Sequence, residues 1–310
     1  MLTIFKTTQN GLDRIERPVN GGWINAIDPT PEETIQLEEL GIEHDLITYS
    51  LDMDEMARME RDEDYTLILL RIPCFQGEDH DIPYMTLPLG IILTDRFVVT
   101  ICRSDNDITR VLCNGKYRLM RTAKRYRFAL YVILETATRY LMYLREINRK
   151  TEALEDQLQK STRNREVLEL LKYQKSLVYF TTGLRSNQVM MERLQRMKMF
   201  TQYEEDQELL EDVITENQQA IEMTDIQTNI LNGLMDAFAS IISNNLNSVM
   251  KALAALTIII NIPTIISSFF GMNVAIPGNE THPFAFLTVV GIALGITIVA
   301  AIIFAKRDWF

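Results

Sequence analysis

The sequence predicts an α+β cytosolic domain that continues into long antiparallel helices and ends in a two-helix transmembrane hairpin. Three observations carry this expectation. Strand-like and helical patterns mix up to about Cys113; no Pro occurs from Lys116 until Pro263, with Gly only at Gly183 and Gly233; and the C-terminal part holds two uncharged apolar runs, Leu253 to Phe270 and Pro283 to Phe304. Each run is close to the roughly 20 residues a helix needs to cross a hydrocarbon core of about 30 Å. A chain that recrosses after a short loop must satisfy its backbone within each segment, so the two runs form a helical hairpin.

In chain order, Thr30-Pro31-Glu32-Glu33 reads as a cap followed by Pro at the first helical position, and Ser50-Leu51-Asp52-Met53-Asp54-Glu55 reads as the start of a second helix. Strand-like runs follow at Asp64 to Ile72, Leu89 to Thr94 and Arg96 to Cys102, the last two joined as a hairpin at Asp95. Leu154, Leu158, Val167, Leu168, Leu171 and Leu177 recur at helical spacing, with breaks expected near Lys160 to Asn164 and near Phe200 to Tyr203. The expected organisation is an α/β domain over 1–115 and an antiparallel helical hairpin over 116–202. A long stalk helix over 203–270 has about 250–270 in the membrane, followed by an external loop at 271–282, a second transmembrane helix at 283–305 and a basic tail at 306–310. Gly291 and Gly295 form a small-xxx-small face expected to pack against the first membrane helix.

Charge divides the chain. Residues 1–80 carry 18 acidic and 6 basic side chains, residues 104–200 carry 10 acidic and 20 basic, and residues 199–250 carry 10 acidic and none basic. An acidic segment beside the membrane would concentrate cations at the inner mouth of a pore. Lys251, Lys306 and Arg307 flank the apolar runs while the loop between them carries only Glu280, which places both termini in the cytoplasm of a multi-pass plasma-membrane protein. The Lys and Arg of the middle region alternate with an apolar helical pattern, which argues against nucleic acid. Cys74, Cys102 and Cys113 are widely spaced and read as reduced thiols, and with three His in the chain a soft-metal cage has few candidate ligands. No nucleotide loop, nucleophile elbow or His-based metal motif is present, so the chain is not read as an enzyme and no organic cofactor is expected.

A polar line runs into the first apolar segment. Counted back from the loop it comprises Ser268, Thr264, Asn261, Thr257, Leu253, Met250, Asn247, Ser243, Ser240 and Asp236. Steps of three and four keep these positions on one helix face, the geometry of parallel helices around an axis. Polar side chains at membrane depth turn to a partner or to water. Interhelical hydrogen bonds would account for single Ser or Thr residues; the whole line, ending on an acid, points to a water-filled path. One hairpin cannot enclose such a path, whereas a ring of copies can. Met250 and Leu253 would then form apolar rings able to gate by dewetting.

The loop opens with Gly271-Met272-Asn273, directly after a spanning helix and before a second one. In this placement the chain resembles the CorA family of magnesium transport proteins, whose signature is Gly-Met-Asn at the outer end of the first of two C-terminal membrane helices. Arg58 to Tyr65, followed by a strand ending Arg71-Ile72-Pro73, also resembles that family's cytosolic domain. Phe270 in place of the usual Tyr, the position of Pro263, and Asn261 where an apolar residue is common mark a divergent branch. The resemblance implies an α/β/α sandwich in the cytosol, a homopentameric funnel in the bilayer, and Mg²⁺ as both substrate and regulatory ligand, with Co²⁺ or Ni²⁺ also passing. It implies a selectivity filter at Gly271, Met272 and Asn273, in which Gly271 gives the backbone room and Met272 braces the turn. An Asn273 ring would accept hydrogen bonds from a hydrated ion, since Mg²⁺ releases its waters reluctantly. The ungapped match puts Asp236, Asn247, Met250 and Leu253 at the pore constriction. It also makes Asp212 the stalk acid of a regulatory metal site, for whose N-terminal partner the best local register gives Gln76 with Glu78, Asp79 and Asp81 close by, and Glu280 adds negative potential outside. Two other readings stand beside it: a proton-coupled zinc transporter of the same architecture, and a membrane-anchored scaffold that transports nothing.

Overall fold

The computed structural model describes residues 1–9, 11–117, 119–160, 164–272, 285–307 and 309. The chain divides into two compact units, Met1–Met235 and Asp236–Phe310.

The first unit is built on a seven-stranded sheet, comprising β1 (Leu2–Thr7), β2 (Leu12–Ile15), β3 (Gly22–Ile27), β4 (Arg58–Arg61), β5 (Tyr65–Phe75), β6 (Tyr84–Thr94) and β7 (Phe97–Cys102). The order across the sheet is β2-β1-β3-β7-β6-β5-β4. Only the central β3–β7 pair is parallel, with Ile24 opposite Val99. The expected hairpin is present between β6 and β7, where Leu93 pairs with Val98 and the Thr94 hydroxyl accepts from the Phe97 amide at 3.2 Å.

Both faces of the sheet are covered, which is why β5, β6 and β7 read as nearly continuous apolar runs. On one face Ile24, Leu67, Leu69, Ile92, Val99 and Ile101 pack under α1 (Pro31–Glu39) and α2 (His44–Leu51). The other face, with Trp23, Ile68, Leu70, Ile91 and Val98, packs under α3 (Asp107–Cys113), α4 (Arg125–Lys160), α5 (Asn164–Gln195) and the start of α6 (Glu204–Phe270). The result is the α/β/α sandwich that the family resemblance implies. Trp23 is fully buried at its centre, its indole N–H donating to Thr100 Oγ1 at 2.8 Å.

α1 starts as the sequence predicts: Thr30 Oγ1 caps the Glu33 amide while the Glu33 carboxylate returns to the Thr30 amide at 3.0 Å, a reciprocal capping box. The second helix is corrected. Ser50 does not open a helix; it closes one, with its hydroxyl on the Leu46 carbonyl at 2.7 Å, and Asp52 follows as the C-cap. Asp52 Oδ1 then accepts from the Asp54 amide at 3.0 Å, so the Ser-Asp signal that marks a helix start here builds a turn. β4 is a strand within a run of charges because it lies at the sheet edge, where water reaches one side.

α6 docks on α4 and α5 through a seam of buried residues at Asp206, Leu210, Val213, Asn217, Ala220, Thr224, Gln227 and Leu231. The steps alternate four and three, the a and d positions of a heptad. The seam is fixed by hydrogen bonds as well as by apolar contact: Asn217 donates to Gln188 at 3.0 Å, Gln227 to the Leu144 carbonyl at 2.8 Å, and Arg127 pairs with Glu205 and Asp206. Between α5 and the sheet, the Asn187 amide takes both the N–H and the C=O of Arg71, at 2.9 and 2.8 Å, and Tyr140 donates to the same carbonyl at 3.0 Å.

The second unit holds α6 from Asp236 onward and α7 (Ala285–Lys306). Both helices are long and apolar enough to cross a membrane. α6 covers Ala252, Ala255, Ile259, Ile262 and Ile266 wholly or partly, again at a and d, and α7 covers Val289, Ala293, Thr297, Ala300 and Phe304. Ala255 is fully buried and Ala293 nearly so. Gly291 and Gly295, expected on this seam, are exposed, and a Cβ on either would meet nothing within 4 Å. Among these small residues the alanines, not the glycines, are the buried ones.

A Cβ on Gly183 would lie 2.6 Å from the Tyr140 hydroxyl and 3.0 Å from Thr86 Cγ2. Gly183→Ala is expected to destabilise the protein by about 1–3 kcal/mol, the usual cost of overpacking, read as a lower urea midpoint by tryptophan fluorescence. An unchanged midpoint would contradict the tight fit of α5 on the sheet.

Candidate functional site

The polar line from Asp236 to Ser268 lies on α6 as a single helix face. Its ten members occupy heptad positions b, c and f, and all ten are exposed. The covered residues of this unit occupy a and d, with Pro263 at e partly covered as well, while Ile241, Asn245 and Ser248 are exposed although they too lie at a or d. The line is therefore turned away from the face that carries Ala255 and Ile259, and α7, the unit's other described helix, leaves it bare.

Hydroxyl chemistry along the line has a consistent sense. Ser240, Thr257 and Thr264 donate to the carbonyls of Asp236, Leu253 and Ile260 at 3.0, 2.8 and 3.1 Å. Each hydroxyl has one proton and two acceptor lone pairs, so the oxygens left facing outward are acceptors. Met250 and Leu253, each 56% exposed, interrupt this acceptor surface as two adjacent apolar steps.

α6 ends at Phe270, and the Gly271 amide closes the last turn on the Ser267 carbonyl at 3.0 Å. A Cβ at Gly271 would stand 3.3 Å from that carbonyl, so glycine relieves crowding there as expected. Met272 is half exposed, so within one chain its side chain is not packed in as a brace. Asn273 and Glu280 lie outside the described residues.

The acids assigned to metal sensing are exposed and separate. Asp212 is at position c of α6, on the same side as Glu208, Glu211 and Glu222 at f, b and f. Glu78 and Asp79 are in the loop between β5 and β6. Among the described residues no group of three or more His, Cys, Asp or Glu is placed to hold a metal ion, so one chain does not bring Asp212 together with that loop as a ligand cluster. Glu78 is engaged by Lys150 of α4, and the Lys172 ammonium lies 3.5 Å from the Glu78 carbonyl. Burial works to lower the Lys150 pKa, but hydrogen bonds with Glu78 and Tyr84 outweigh it and raise the value above the ordinary lysine range. This pairing, across 72 residues, left no local signal in the sequence.

The thiols agree with the sequence reading. All three are free, and burial pushes Cys102 and Cys113 up to about 11 and raises Cys74.

Comparison with known proteins places these features. The model of the family described as CorA-like Mg²⁺ transporter protein matches residues 21–307. The chain belongs to the CorA family. It is 31% identical over 298 residues to the cobalt/magnesium transport protein CorA of Methanocaldococcus jannaschii, covering 93% of this chain and 90% of that one. The corresponding protein of Thermotoga maritima is 21% identical over 295 residues, covering 93% and 83%. The complete structure of the M. jannaschii CorA magnesium transporter superimposes with a TM-score of 0.84 at 25% identity, over 100% of this chain and 99% of that chain. For a CorA protein, the two apolar helices and the sandwich are thus the family architecture, and the zinc alternative is not favoured, since the named relatives are cobalt and magnesium transporters.

Proposed function

We propose that this CorA protein is a divalent-cation channel in which copies of the chain surround a common axis and line it with the b, c and f face of α6. The observation that carries the reading is the exposure of the whole Asp236–Ser268 line on the side of α6 opposite the seam with Ala255. Ser, Thr and Asn facing lipid would be costly, and a shared aqueous axis removes that cost. The family resemblance implies five copies. Mg²⁺ is the substrate the family indicates, with Co²⁺ and Ni²⁺ as further cargo.

In this reading the ion meets the Asn273 ring first. Amide oxygens accept from the water shell, which selects a hydrated divalent cation without holding it too tightly to leave. Thr264, Asn261 and Thr257 continue the acceptor surface inward. Met250 and Leu253 form the constriction, closed when their rings exclude water. Asp236 and the acids of the α6 segment below it, which has no Lys or Arg between residues 199 and 250, hold the inner mouth at negative potential. With the basic flanks inside, a divalent ion enters down a potential worth about 4.6 kcal/mol per 100 mV.

Regulation follows from the placement of the sensing acids. Asp212 of one copy and the β5–β6 loop of its neighbour would share Mg²⁺ when cytosolic Mg²⁺ is high, and loss of metal would leave acids facing acids and favour opening. Because Lys150 already pairs with Glu78, Asp79 and Asp81 are the loop acids left to take the ion.

Purified protein in liposomes, under an imposed inside-negative potential, should carry Mg²⁺ and Co²⁺. Asn273→Ala should reduce Mg²⁺ flux by at least about tenfold with assembly intact, and wild-type flux in that variant would refute the filter. Asp212→Ala should weaken the protection that millimolar Mg²⁺ gives the N-terminal unit against protease, while undiminished protection would remove Asp212 from the sensor.

A further inference from the structure

The Thr side chains on the membrane part of α6 resolve their own hydrogen bonding; Asn261 does not. Thr257 and Thr264 return their protons to the helix, at 2.8 and 3.1 Å. A primary amide has two donors and a carbonyl and cannot be satisfied that way. Asn261 is exposed, at position c, and its side chain has no hydrogen-bond partner among the described residues. The seam residues on either side, Ile259 and Ile262, are the partly covered ones. An amide left unpaired in an apolar medium costs roughly 2–7 kcal/mol, so its partner must come from outside the described residues.

We propose that Asn261 forms a second ring for the hydrated divalent cation, inside the membrane and on the outer side of the Met250–Leu253 constriction. The proposal rests on the channel reading above and assigns a binding step to it. Asn261 is eight residues past Leu253 and twelve before Asn273, which on a helix of 1.5 Å rise is about 12 Å from the constriction. The stripe members beyond Leu253, namely Thr257, Asn261, Thr264 and Ser268, are all polar. The nearest hydroxyls on the line, those of Thr257 and Thr264, have spent their protons on the helix and offer oxygen lone pairs. An acceptor-rich ring suits the outward-pointing O–H groups of a hydrated cation and disfavours an anion. The amide N–H groups are then free to donate sideways to the next copy, which fixes the carbonyl oxygens toward the axis. An ion waiting there keeps its waters until the constriction opens, so Asn261 sets the concentration at which the pathway fills and Asn273 sets which ion enters.

The test uses full-length protein in liposomes, with Mg²⁺ as the probe and Asn261→Leu and Asn261→Asp as the variants. Influx is measured against Mg²⁺ concentration, and the thermal stability of the detergent-solubilised oligomer is followed in parallel. Asn261→Leu is expected to raise the half-saturating Mg²⁺ about tenfold, and Asn261→Asp to lower it by a similar factor while cutting maximal flux, because a carboxylate ring releases the ion slowly. If Asn261 merely ties copies together, both variants lower oligomer stability and the assembled remainder keeps the wild-type half-saturation; that result overturns the proposal. Wild-type flux with both variants indistinguishable from it overturns the proposal alone, whereas wild-type protein that carries no divalent cation overturns the channel reading and this step with it.

Discussion

Polar side chains inside a membrane helix must be met by something other than lipid, and this requirement organises the rest of the molecule. α6 has two faces with opposite fates. Its a and d positions are covered by α4 and α5 over Asp206–Leu231 and again from Ala252 to Ile266 in the second unit, while Ile241, Asn245 and Ser248 between them are exposed. In the second unit its b, c and f positions are left bare, and they carry Asp236, the hydroxyls of the polar line, Asn247 and Asn261. A single hairpin gives that second face no partner. In the proposed channel, copies around an axis would give it water and cations, and the exposed polar line would become the inside of the pore.

The N-terminal unit gives α6 a rigid base. The sheet is covered on both faces, and α5 is pinned to it by Asn187, which satisfies both backbone groups of buried Arg71, and by the close fit of Gly183 under Tyr140. α6 is in turn locked to α4 and α5 by Asn217 and Gln227 within an otherwise apolar seam. Buried amides of this kind fix register, because a slip of one residue would strand their donors. A sensor acting through Asp212 therefore acts on a helix whose seat is well defined.

Much of this was legible in the sequence, for physical reasons. The strands β5 to β7 stood out because a sheet covered on both faces needs unbroken apolar runs, and the polar line stood out because a helix face repeats every three and four residues. The four-residue edge strands β2 and β4 were hidden, since a short edge strand leaves no pattern of its own, and the apolar run of central β3 is broken by the buried Asn25. Ser50-Leu51-Asp52 points both ways as a signal, because the same residues cap a helix start and build a turn after its end. Periodicity also picks out the small residues of α7 without showing that Ala293 is buried while Gly291 and Gly295 stay exposed. The Lys150–Glu78 pair joins elements too distant in sequence for any local rule to find.

The claim that the b, c and f face of α6 lines a shared aqueous axis is tested most directly by cysteine accessibility from the outer side. Single cysteines at Thr264 and Ser268, on the line, are compared with single cysteines at Ile262 and Ile266, at similar depth on the covered seam, using a membrane-impermeant thiol reagent on proteoliposomes. The expected result is rapid modification with block of Mg²⁺ flux at Thr264 and Ser268, and neither at Ile262 and Ile266. Equal labelling of both faces, or labelling confined to the seam, would contradict a pathway on this side of the helix.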